Sequence, residues 1–146
     1  MPGFLDLPAR PAKPRAEGVT HVIDTGLTAA GAAGLMASAA DYVDLVRLGW
    51  GSAYVTGDLR EKLDAYRAGG VPVMLGGTLT ELAWLQGRVD GLCDWLGELG
   101  IENIEVSSGT VPIPADQKLR LIERLAAAGF TVYAEVGEKD PDAILA

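Results

Sequence analysis

Several residues with chemical potential sit where apolar runs of this 146-residue chain give way to glycine-marked polar clusters. Asp24 ends Val22-Ile23-Asp24, Glu105 lies within Ile104-Glu105-Val106, and Glu135 stands near the end of the last such run. Oxygen ligands of this kind suit Mg²⁺, which favours carboxylates and water. The competing reading is that each carboxylate pairs with Arg47 or Lys139, or caps a neighbouring loop. Arg47 interrupts an apolar run just before Gly49-Trp50-Gly51. A guanidinium there can hold a carboxylate or phosphate through two parallel N–H bonds, and we favour that role over a structural pair with Asp24 or Asp44. Gly76-Gly77-Thr78 lets backbone amides approach an anion at the start of a helix, although a plain turn has the same composition. Ser107-Ser108-Gly109-Thr110 offers hydroxyls and amides, with turn formation as the alternative. Trp50, between two glycines, fits the wall of a pocket, whereas Trp84 and Trp95 fit packing roles. His21 reads as structural. Cys93, among leucines and without an activating neighbour, reads as a buried small hydrophobe.

These residues need elements to position them, and the chain alternates strand and helix patterns five times. Strands are expected over Thr20–Asp24, Tyr42–Leu48, Val71–Leu75, Asn103–Ser107 and Phe130–Val136, apolar enough to be covered on both faces. Such alternation implies a parallel sheet, whose ligands bind beyond the carboxyl ends of the strands. Period-two alternation puts Glu105 and Ser107 on one face and Ile104 and Val106 on the other. An alanine- and glycine-rich helix is expected after Thr28. Asp58 with Glu61, and Thr78 with Glu81, fit capping boxes. After Thr78, residues Leu82, Leu85, Val89, Leu92, Leu96 and Leu99 form one stripe, with Gly87 and Gly91 as points where the helix can break. A further helix over Pro114–Ala128 is expected to bury Leu119, Ile122 and Leu125 and to stop at Gly129, and Pro141 is placed to open another. Residues 1–18 carry four prolines with Arg10, Lys13 and Arg15, and read as an extended arm ahead of a (β/α)5 domain over 19–146.

A net charge of −8, with no basic cluster, argues against a nucleic-acid surface. A lone cysteine excludes a disulfide within the chain. No apolar run approaches the roughly 18 residues of a membrane span and the amino terminus lacks a secretion-type h-region, so a cytoplasmic location and no membrane partner are expected. No GxGxxG or GxxxxGK[ST] follows a strand, which disfavours a nucleotide-binding domain. The fold class is therefore α/β, with parallel (β/α) units of TIM-barrel type. A closed barrel of eight units needs about 250 residues, so five units make a partial barrel or an open sheet. The sheet closes against another chain, or the chain is a fragment, or the domain is an open doubly wound one; a homo-oligomer is the expected partner state.

At these same clusters the chain resembles the phosphosulfolactate synthase family. The carriers are Gly18-Val19-Thr20 with Val22-Ile23-Asp24 and Gly26, Asp41-Tyr42-Val43-Asp44 through Gly49-Trp50-Gly51, Gly76-Gly77-Thr78-Leu79 with Glu81, Ile104-Glu105-Val106-Ser107 with Gly109, and Glu135-Val136-Gly137 with Lys139. The resemblance implies a TIM-barrel lyase of coenzyme M biosynthesis that adds sulfite to phosphoenolpyruvate with Mg²⁺. It also implies Lys139 as proton donor and Glu105 as a second catalytic group. Asp24, Glu105 and Glu135 would orient the metal or Lys139. Arg47, with Gly76, Gly77, Thr78 and Ser107, would bind the small anionic substrate. The family has lysine where this chain has Thr25, Arg47 and Glu138, and aspartate at Ser108, which implies a diverged member. The alternative from another class is a catalytically silent partial barrel serving binding or assembly.

Overall fold

Five short strands, β1 (His21–Asp24), β2 (Leu45–Leu48), β3 (Val73–Leu75), β4 (Asn103–Val106) and β5 (Thr131–Ala134), lie side by side in sequence order. Every neighbouring pair is parallel. The structure is a computed structural model and describes Phe4, Asp6 and residues 8–136. Six helices connect the strands: α1 (Ala29–Ala39), α2 (Ser52–Val55), α3 (Leu59–Ala68), α4 (Gly77–Leu85), α5 (Val89–Leu99) and α6 (Ala115–Ala127). The architecture is an α/β sheet of (β/α) units that remains open among the described residues. The expected helix at Pro141 lies outside them.

Register sorts the side chains into two rows. Val46 aligns with Val73, and Leu48 with Leu75, Ile104 and Val132. This row shares one core with Met36 of α1, Leu63 and Tyr66 of α3, Leu96 of α5, and Leu121 and Leu125 of α6. Burying such side chains contributes about 1.5–3 kcal/mol each. The other row, Ile23, Arg47, Met74, Asn103 and Thr131, lines the inner face, with Glu105 and Tyr133 one step further along. That face is uncovered at its two edges, where Ile23 is 47% and Tyr133 41% exposed.

Strand positions match the sequence reading, but the segments are shorter. The second loses its start to a 3₁₀ turn over Ala40–Tyr42, and the third begins only after Pro72, which cannot donate to a ladder. The stripe expected from Leu82 to Leu99 is broken. Gly87, at φ 65°, separates α4 from α5 and resets the helical phase. Helix α5 buries Val89, Leu92, Leu96 and Leu99, whereas α4 buries Thr80 and Glu81 and leaves Leu82 and Leu85 exposed. In α6 the buried pair is Leu121 and Leu125, four residues apart on one face; Leu119 is exposed and Ile122 flanks the core. Gly129 ends this region at φ 97°, as expected.

Both expected capping boxes are absent. Thr78 lies inside α4, whose cap is Gly76, and Glu81 does not turn back to it. The buried Glu81 carboxylate instead spans to the loop after β4, accepting from the Ser107 hydroxyl and from the amides of Gly109 (3.0 Å), Thr110 (2.6 Å) and Val111 (2.6 Å). Asp58 caps no amide of its own helix; it accepts from Ala29 N at 2.7 Å, fixing the start of α1, where Thr28 accepts from Gly31 N. The arm is lashed down rather than free. Arg15 and Arg10 both bind the Asp44 carboxylate, which also accepts from Thr20 N, and Lys13 donates to Ala40 O at 2.6 Å.

Asp24 is buried on the helix side of the sheet. Its Oδ1 accepts from Gly26 N (2.8 Å) and Leu27 N (2.7 Å); its Oδ2 accepts from the Tyr66 hydroxyl (2.9 Å) and lies 3.0 Å from Lys62 Nζ. Burial pushes the Asp24 pKa up, but the two amides, Lys62 and Tyr66 outweigh it and hold the carboxyl below its usual range. Glu81 follows the same pattern: burial raises its pKa, and Ser107 with the three loop amides brings it below normal. A carboxylate lowered in the folded state stabilises fully above its unfolded pKa of about 4 and loses that contribution as pH falls through its folded value. Acid unfolding monitored by circular dichroism should therefore begin only below about pH 4, and Asp24→Asn should remove part of the pH dependence there. At neutral pH, Asp24→Asn should cost about 3–5 kcal/mol in urea denaturation because Lys62, 0% exposed, is left without a counter-charge, and adding Lys62→Met should recover much of it. Glu81→Gln should cost about 1–3 kcal/mol and speed amide exchange at Gly109, Thr110 and Val111 selectively.

Candidate active site

With all strands parallel, their carboxyl ends share one rim, and the rim between β1 and β4 holds a small cleft. Arg47, Glu105 and Ser107 come from strands or their ends, Gly49, Trp50, Gly76, Gly77 and Thr78 from the following turns, and Ile23 from the inner row. Arg47 projects from β2 across Met74 of β3 and its Nη1 donates to Glu105 Oε1 on β4. The partner is thus neither Asp24 nor Asp44. Glu105 Oε2 accepts from Gly77 N at 2.6 Å, at the start of α4. A negative charge is favoured at that helix end.

Gly77 has a steric reason to be glycine. A Cβ there would collide with the Ser107 hydroxyl and come within 3.2 Å of Glu105 Oε2. Gly76 is equally constrained, since a Cβ would stand 2.5 Å from Leu48 O, the acceptor of its own amide. The two glycines let β2, β3 and β4 close on one another while Glu105 takes the amide. Gly77 N is therefore engaged by protein.

Arg47 retains binding capacity. Its side chain is about one-fifth exposed, at 21%, and among the described residues its Nε and Nη2 meet no acceptor. A guanidinium half-neutralised by Glu105 and facing a cleft can take a carboxylate or phosphate oxygen. His21 stands on the same inner face, two residues before Ile23. Desolvation and the nearby Arg47 charge lower its pKa and Glu105 partly offsets this, so a neutral imidazole is favoured beside the pair.

Not every residue anticipated for the site gathers there. Glu105, Arg47, Gly76, Gly77, Thr78 and Ser107 do. Asp24 does not: it faces α3, and four donors surround it. Glu135 follows β5; its amide donates to Val106 O and its carbonyl accepts from Lys118 Nζ at 2.5 Å. Lys139 lies outside the described residues. A Mg²⁺ cage of Asp24, Glu105 and Glu135 does not fit this geometry, because Asp24 and Glu105 project from opposite faces of the sheet and Glu105 already carries Arg47 and Gly77 N. Among the described residues, no group of three or more His, Cys, Asp or Glu side chains is arranged to hold a metal ion.

Several contributors escaped the sequence reading. Lys62 and Tyr66, four apart among Leu59 and Leu63, form a polar interruption of an apolar helix face, which was the available signal for a buried ion pair. Glu81, which fits a capping box in the sequence, anchors the loop after β4. Lys118 of α6 reaches the β5 end and lies 3.4 Å from Ser108 Oγ, with no local signal in the sequence. No helix among the described residues is long and apolar enough to cross a membrane.

Comparison with known proteins places this geometry in context. The family model described as (2R)-phospho-3-sulfolactate synthase (ComA) matches residues 8–145. The phosphosulfolactate synthase of Methanothermobacter thermautotrophicus is 42% identical over 137 residues, covering 92% of this chain and 53% of the relative. That of Methanocaldococcus jannaschii is 37% identical over 127 residues (86% and 51%), and that of Bacillus subtilis 36% identical over 138 residues (94% and 54%). The chain thus spans about half the length of the curated relatives it matches. Because the family match runs from the arm through all five strand ends, the cleft of Arg47 and Glu105 included, the chain belongs to the (2R)-phospho-3-sulfolactate synthase (ComA) family.

Proposed function

We propose that the chain carries a phosphosulfolactate synthase-type lyase site that acts on phosphoenolpyruvate and sulfite. The observation that carries this reading is Arg47, fixed by Glu105 at the strand rim with guanidinium donors turned to a cleft. Family membership supports the substrate pair.

In the proposed reaction, sulfite uses its sulfur lone pair to form a C–S bond to the methylene carbon of phosphoenolpyruvate. The π electrons of the double bond move toward the carboxylate, giving an aci-carboxylate. A proton from a general acid then reaches the neighbouring carbon, so the addition balances without a redox partner. Arg47 binds the carboxylate or phosphate and stabilises the charge that develops there. Glu105 holds the guanidinium in place, and the Gly77 amide holds Glu105. Ser107, fixed by Glu81, forms the neighbouring wall. Lys139 is the proposed acid, since an ammonium both attracts the anion and delivers a proton. Mg²⁺ would be held largely by substrate phosphate and water, the usual mode for this cation.

A second reading, a non-catalytic binding or assembly module, is favoured by one observation: the inner face is exposed at both β1 and β5. A homo-oligomer that covers these edges is compatible with either reading.

Incubating the chain with phosphoenolpyruvate, sulfite and Mg²⁺ should yield a sulfonate detectable by mass spectrometry; a folded protein that yields none supports the module instead. Arg47→Ala should lower kcat/KM by about 10- to 150-fold, with Arg47→Lys intermediate, because a charge-assisted contact is worth about 1.5–3 kcal/mol. Lys139→Ala should abolish turnover while leaving phosphoenolpyruvate binding measurable, and unchanged turnover would remove it as the acid.

A further inference from the structure

Trp50 is the only non-glycine among the described residues with a left-handed backbone, at φ 51°. For a bulky side chain this conformation is an outlier that the surroundings must sustain. Its neighbour Gly51 shares the left-handed region at φ 73°. Packing does not explain the choice of residue, because Trp50 is 78% exposed and gains little from burial. Glycine or asparagine would adopt this backbone more readily. The strained position nevertheless lies on the cleft, alongside Arg47, Thr78, Glu105 and Ser107. Neither local conformation nor the core accounts for tryptophan here, and the cleft is the feature that it borders.

We propose that Trp50 is a binding residue of this cleft, its indole forming a wall over a small planar acid of the phosphoenolpyruvate class held by Arg47. This rests on the functional reading above and adds a residue to it. Covering the anion excludes water from the Arg47 contact, and a charge pair is stronger where water is scarce. The strain is kept at the site because the side chain is needed there, so stability and binding should respond in opposite directions to its removal.

The experiment compares parent, Trp50→Asn and Trp50→Phe by thermal melting and by calorimetric titration with phosphoenolpyruvate. Trp50→Asn should melt no lower than the parent yet bind about tenfold more weakly or worse, whereas Trp50→Phe should bind within roughly threefold of the parent. Trp50→Asn binding like the parent, or melting several degrees lower, would overturn the assignment, the second outcome marking Trp50 as a packing residue. If the parent itself binds no phosphoenolpyruvate, the functional reading fails and this proposal with it. A parent that binds beside an equally competent Trp50→Asn removes Trp50 alone.

Discussion

A carboxylate withdrawn from water must be given donors, and three such carboxylates organise the rim of this protein. Asp24 takes the amides of Gly26 and Leu27, Glu105 takes the amide of Gly77, and Glu81 takes those of Gly109, Thr110 and Val111. Each therefore ties the loop after one strand to a helix or strand beneath it. Loops are ordinarily the mobile parts of an α/β unit. Here their backbone donors are committed to buried charge, and leaving them unpaired would be costly.

The positive partners differ in a way that separates structure from function. Lys62 is fully enclosed with Asp24 and Tyr66 on the helix side, where it balances a charge and meets no solvent. Arg47 stands on the inner face, pairs with Glu105 and keeps nitrogens toward the cleft. Two ion pairs of the same type at adjacent strand ends thus serve different ends because strand alternation sends them to opposite faces. The metal set imagined from sequence fails on this same alternation. Asp24 and Glu105 are both at strand ends, yet the sheet lies between them.

Crowding at the cleft follows from the same arrangement. Seating Glu105 on the Gly77 amide requires that β3 and β4 approach without a side chain between them, which glycine at 77 permits, while glycine at 76 lets the end of β3 close on β2. Beside it, the turn after β2 spends conformational energy to present an indole. Close approach and strain are both local costs that the core on the helix side offsets, where the Val46, Leu48, Leu75 and Ile104 row is buried.

The sequence by itself determined the order of elements, the parallel sheet and the membership of the rim, because apolar runs, glycine clusters and helix signals are local patterns. Arg47, Gly76, Gly77, Glu105 and Ser107 were legible for that reason. What only the tertiary structure decided was pairing and facing. Whether Glu81 caps its own helix or anchors a loop nearly 30 residues away depends on which donors the packed chain brings near, and nothing in Thr78 to Glu81 encodes that choice. Asp24 reads the same as Glu105 in one dimension and becomes a buried brace only when α3 lays Lys62 and Tyr66 against it. The strain at Trp50 is equally invisible in the letters Gly-Trp-Gly, since a backbone angle is set by where the chain must go next. Local sequence fixes which groups are available; the three-dimensional packing fixes what each of them can touch.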